Sequence, residues 1–167
     1  MAVSHLVGVP EDVLSGNMLG VATEAWTQAQ VDRHSNDSLM TLLYTWEAMG
    51  PTIDSSLPNF PKPINSQFVY DACAHEHDIR SAISRPGARD SQSVRVALGF
   101  IRFTLLQRPQ PEAQELLKST VGDFDFFRSM SGRRSAEQIA NCGLDASKVQ
   151  MVIRDSPFSL PITSISE

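Results

Sequence analysis

Two stretches of the chain concentrate side chains able to do chemistry. Cys73-Ala74-His75-Glu76-His77-Asp78 is the densest titratable cluster, and Phe124-Asp125-Phe126-Phe127 sets one carboxylate among three aromatics just before Arg128, Arg133 and Arg134. On a helix, Cys73 and His77 share a face, which is the spacing of a metal-ligand pair. A closed structural site wants four ligands, and the second cysteine lies far off at Cys142. The cluster therefore reads as a polar helix flank, with no metal and no cofactor expected. In the second stretch, three aromatics normally plug a core while the acid caps a helix. A buried Asp125 would be costly unless paired. The pattern thus predicts an arginine brought from elsewhere in the chain, held by Asp125 and turned toward phosphate. That chemistry suits single-stranded RNA gripped by its backbone rather than read by its bases.

Catalytic motifs are missing from the sequence. It contains no Gly-rich phosphate loop, no Gly-x-Ser-x-Gly elbow and no zinc-protease histidine pair, so the expectation is a protein that is not an enzyme. Residues 135–155 also fit a helix-turn-helix, with Gly143 at the turn, Val149 as a core position, and Lys148 and Arg154 offered to DNA.

Charge is unevenly placed along the 167 residues, whose net charge is −5. Residues 1–65 carry two basic and seven acidic side chains, residues 66–134 ten and eight, and residues 135–167 two and four. The middle third is thus the basic part, and its cations are arginines save for Lys118, the better choice for forked contacts to phosphate. With 41% hydrophobic and 20% charged residues, the chain can close a core. No apolar run approaches bilayer length, and the N-terminus lacks the order of a signal peptide, so reduced thiols in a cytosolic setting are expected at Cys73 and Cys142.

The elements that must position these groups all carry helical periods. Apolar residues at 1–9 have no partner pattern and read as an arm. Pro10-Glu11-Asp12 opens a first helix bearing Leu14, Met18, Val21, Ala22 and Ala25. After a break at residues 34–37, a helix with Leu39, Leu42, Leu43, Trp46 and Met49 is predicted to stop at Gly50-Pro51. Four prolines between Pro51 and Pro63 predict a loop. Further helices follow from Asn65 or Ser66 to Arg85, from Ser91 to Gln107 (apolar nearly all round, hence central), and over Glu112–Val121. Ser135 with Gln138 forms a capping-box pattern, and Ala146–Arg154 a last helix. The reading is all-α: one helical core domain over 10–155, an N-terminal arm at 1–9 and an extended C-terminal tail at 156–167.

On these residues the chain resembles the coat proteins of flexible filamentous plant RNA viruses, the potexvirus and potyvirus types. Phe124-Asp125-Phe126-Phe127 is similar to their Phe-Asp-Phe-Phe motif. Trp26 falls where the potexvirus type has an early tryptophan. The helix ending Trp46-Glu47-Ala48-Met49-Gly50 resembles their apolar helix that stops at glycine and serine, with the Thr52 hydroxyl where that serine falls. Arg80 matches by spacing the arginine that joins this hydroxyl and the aspartate at RNA, and Arg102 is the alternative. The likeness runs over about residues 18–145. It implies a structural coat subunit, located in the virion and the host cytoplasm. Such a subunit joins copies of itself head-to-tail in a helical filament. It would encapsidate genomic single-stranded RNA at Thr52, Arg80, Arg102, Asp125 and Arg128, with no membrane partner. The alternatives are a small helical binding module acting on a protein partner, and the DNA-binding reading of residues 135–155.

Overall fold

The computed structural model describes residues 2–165 apart from 18, 22, 155 and 157. Met18 and Ala22 of the expected first apolar face, and Asp155, Pro157, Ser166 and Glu167 in and beside the expected tail, lie outside the described residues. Among the described residues the regular structure is helical throughout, as an all-α chain requires, and no helix is long and apolar enough to cross a membrane. Contacts gather in two compact units, Met1–Asn65 and Ser66–Glu167, rather than around a single core.

The first unit holds α1 (Ala2–Ser15), α2 (Glu24–Arg33), α3 (Leu39–Ser56) and a 3-10 turn at Leu57–Asn59. Thr23 and Ser38 cap α2 and α3 by accepting from the backbone N–H groups of Trp26 and Thr41. Polar groups join α1 to α2. Gln30 is fully buried and donates to Asp12 Oδ2 at 2.8 Å, Arg33 meets Asp12 at 2.7 Å and Glu11 at 2.9 Å, and Asn17 donates to Asp12 at 3.1 Å. Gly8 permits this approach, since a Cβ there would stand 2.5 Å from that of Gln30. Large apolar side chains remain outside: Leu39, Met40, Leu43, Tyr44 and Trp46 of α3 are all exposed, Tyr44 by 66%.

The second unit contains α4 (Ile64–Ala82, entering from the first), α5 (Gln92–Leu106), α6 (Pro111–Leu117), α7 (Asp123–Met130), α8 (Ala136–Asn141) and α9 (Ala146–Ile153). Its core is apolar. Val94, Ala97, Leu98, Ile101 and Leu105 recur at helical spacing along α5, and they share the buried cluster with Tyr70 of α4, Leu116 of α6, Phe126 and Phe127 of α7, Ile139 of α8 and Val149 of α9. The capping box at Ser135 and Gln138 opens α8 with both reciprocal bonds formed.

Several expected boundaries are corrected. Residues 2–9 are helical and continuous with α1, so Pro10 lies inside a helix rather than at its start. Likewise α3 passes through Gly50-Pro51 to Ser56, where a loop was predicted. A proline removes one donor and crowds one carbonyl. For Pro51 that carbonyl is the one of Glu47, four residues earlier; beyond the proline the Ser55 and Ser56 hydroxyls both donate to the Thr52 carbonyl at 2.8 Å. In α5 one face is buried, while Arg102, Phe103 and Leu106 face outward. Both cysteines are free thiols.

Two tests follow from the contrast between the units. His34 sits between Glu11 (2.9 Å) and Asp37 (2.8 Å). Burial lowers its pKa, but the bonds to Asp37 and Glu11 outweigh this and hold it above the ordinary value of 6.5. A raised folded-state pKa gives stability that is complete below the unfolded value and lost as pH rises through the folded one. The first unit should therefore lose thermal stability as pH rises from about 6.5 through the raised His34 pKa, and His34→Gln should abolish that dependence. In the second unit, Phe127→Ala should cost about 3–5 kcal/mol in urea denaturation, because the ring is fully buried.

Candidate functional site

Helix α7 carries the Phe124-Asp125-Phe126-Phe127 segment in its first turns, and the helical period sorts these residues by face. Phe124, Phe126 and Phe127 are buried, and the Phe127 ring lies edge-on to Tyr70 at 6.0 Å. Asp125 falls on the outer edge, its side chain 42% exposed, and accepts from Arg134 Nη2 at 2.9 Å. The buried acid predicted here is thus a rim acid, and its arginine comes from nine residues on rather than from a distant helix. A carboxylate at the first turn of a helix is favoured by the helix dipole, which needs no burial.

The buried ion of this region is instead Arg128, with 0% exposure. Its Nη1 donates to the Ala74 carbonyl at 3.2 Å and its Nη2 to Asp78 Oδ1 at 2.8 Å. The other Asp78 oxygen accepts from Arg133 Nη2 at 3.1 Å and Nε at 3.3 Å, and His75 Nδ1 stands 3.4 Å from it. Burial alone would raise the Asp78 pKa. His75, Arg133 and Arg128 together overcome that and hold the carboxyl well below the usual carboxylate range. Arg128, expected at an RNA groove, presents no surface to a polymer. It ties α7 to α4.

The remaining expected residues are dispersed. Arg80 on α4 donates from Nε to Glu76 at 2.8 Å, one helical turn earlier. Arg102 on α5 pairs with Asp123 at 3.1 Å in a largely exposed bridge, of a kind worth at most about 1 kcal/mol. Neither is bonded to Asp125. Thr52 is exposed on α3 in the first unit. Arg102 with Asp123, and Arg134 with Asp125, place two arginine–carboxylate pairs on alternate residues of the same helix start.

The Cys73–Asp78 cluster is divided the same way. Cys73 and His77 are both buried on α4. Burial pushes the Cys73 thiol up, and burial together with Arg128 pushes the His77 imidazole down. For the DNA-binding reading, α8 and α9 do flank a turn at which Gly143 adopts φ 92°, but Lys148 of α9 is bonded to Glu115 of α6. The sequence reading named Asp78 and Arg133 but missed that they meet, with Arg128, in one cluster. The surplus of three arginines at 128–134 over two nearby acids, Asp123 and Asp125, was the signal that an acid from another element had to come in.

Breaking the clamp tests it. Asp78→Ala leaves a buried guanidinium without its carboxylate and should destabilise the second unit by about 3–5 kcal/mol. Because the folded Asp78 pKa is depressed, its contribution is present above the unfolded value of 3.8 and declines as pH falls from there through the folded pKa. Acid titration followed by near-ultraviolet circular dichroism should show the second unit loosening below about pH 4, a transition that Asp78→Ala blunts. No family model, no curated protein and no solved structure matches this chain.

Proposed function

We propose that the protein is a structural coat subunit that joins copies of itself in a helical filament and encapsidates single-stranded genomic RNA by its backbone, in the virion and host cytoplasm. The observation that carries this reading is the layout of α7. Its three phenylalanines are driven into the core, and this leaves Asp123 and Asp125 at the surface, each holding an arginine. Guanidiniums oriented by carboxylates suit phosphate contact without base reading. The row of exposed apolar side chains on α3 supports self-association, since Leu39, Leu43 and Trp46 share a stripe at helical spacing. Arg80, Arg102, Asp125 and Thr52 stay in the proposed contact set. Arg134 joins them, and Arg128 leaves it because it has no exposed surface.

The reading is tested by negative-stain electron microscopy of the purified protein, with absorbance at 260 and 280 nm on the same sample. Flexible filaments with excess absorbance at 260 nm are expected. Discrete particles that ignore RNA at low salt would move the assignment to a helical module that binds a protein partner. A preference for duplex DNA that depends on Lys148 and Arg154 would favour residues 135–155 as the binding element. Arg80→Ala with Arg102→Ala should weaken RNA binding and flatten the slope of log K against log salt by about 1.4, or roughly 0.7 for each phosphate contact on a single strand.

A further inference from the structure

Beyond α9 the chain turns back onto its own unit. Residues 158–165 form no helix, yet both ends of this segment are held. At one end the Phe158 ring lies 6.2 Å from that of Tyr70 and 5.5 Å from the Arg133 guanidinium, and Leu160 packs with it against the buried cluster. Gly132 admits the backbone there. A Cβ on it would stand 2.9 Å from the Ser159 carbonyl oxygen, and its φ of 68° is one that glycine takes without strain.

At the other end the Ser164 and Ser135 hydroxyls are 3.0 Å apart. Gln138 grips the Ile165 backbone with both of its groups: Nε2 donates to the carbonyl at 2.7 Å, and Oε1 accepts the N–H at 3.2 Å. The same Oε1 accepts the Ser135 N–H at 3.1 Å in the capping box of α8. An amide oxygen has two lone pairs, so one side chain closes the helix cap and holds the segment together. Between these anchors Ile162 is fully exposed.

An aromatic anchor at one end and a two-point grip on main chain at the other are the features of a surface that recognises a peptide. Such a surface reads the segment and not the chain that supplies it. Because groove and segment are encoded in one sequence, every copy carries both halves of the match.

We infer that residues 158–165 dock on the second unit of a neighbouring copy, exchanging these contacts in trans, and that this exchange links copies of the chain. The bonds broken within one copy are remade with the next, so the balance is set by how concentrated the copies are. Each copy gives its segment at one place and receives another at a different place. That is a heterologous contact, which extends into a filament unless its rotation closes a ring. The inference rests on the proposed function only for the premise that copies associate, and RNA plays no part in it.

Disulfide trapping in the full chain tests the exchange. A chain carrying Ser135→Cys is mixed with a larger, tagged chain carrying Ser164→Cys and oxidised, with circular dichroism verifying that each variant folds. A product of the summed mass should form, rise with protein concentration, and fall severalfold when Phe158→Ala is added to the Ser164→Cys chain. The Ser164→Cys chain mixed with unaltered chain should give no such product, which sets aside Cys73 and Cys142. As a second readout, a synthetic peptide with the sequence of residues 156–167 should shrink assemblies of the unaltered chain in sedimentation, and the same peptide with Phe158→Ala should not. Links confined to single chains carrying both cysteines, or assemblies indifferent to the peptide, would overturn the inference. RNA-filled filaments without interchain links would overturn it and spare the coat-subunit reading. Interchain links in closed particles free of RNA would do the reverse.

Discussion

A guanidinium cut off from water must find carboxylate and carbonyl oxygens inside the protein, or the fold that buries it cannot form. Arg128 meets that demand with the Ala74 carbonyl and Asp78, and Asp78 in turn holds Arg133 on its second oxygen. The consequences spread from this point. The clamp sets how α7 lies on α4, and with α7 go Phe126 and Phe127 into the core of the second unit. Burial, and after it the charge of Arg128, lowers the pKa of the neighbouring His77. Hydrophobic burial drives this unit together, and the ion pair selects one arrangement, because an apolar surface alone tolerates several.

The first unit inverts those proportions. Its α1–α2 contact is a chain of charged and amide groups centred on Asp12, with little apolar surface inside. Burial lifts the Asp12 pKa, but Gln30, Arg33 and Asn17 reverse this and hold it down. Such a network is specific in geometry and modest in net energy, since each bond replaces one to water. The apolar residues that could have made a core stand outward on α3 instead. That exposed apolar surface is the basis of the self-association proposed above.

Buried and exposed charge are divided within α7 by a single helical period. The inward residues are aromatic or, in Arg128, fully clamped; the outward ones are acids carrying Arg102 and Arg134. Rim pairs of this kind contribute little to stability in high dielectric. The Arg102–Asp123 pair is of that exposed kind, whereas the Arg134 side chain is largely buried beside Asp125.

The helical class, the capping box at Ser135 and the aromatic plug were legible in the sequence, because each depends on spacing within one segment, whereas α5 reads as apolar nearly all round and is buried on one face. The proline-crossed stretches of α1 and α3 were not, since propensity says where a helix is disfavoured and not whether neighbouring bonds carry it through. That an arginine–carboxylate pair would attend the motif was also readable from charge balance. Which acid would be buried was not: pairing Arg128 with Asp78 joins residues 50 apart, and only tertiary packing decides which of several acids reaches a given guanidinium. The same holds for the division into two units. Sequence specifies local periods, while the partition of the chain depends on which faces find each other in space.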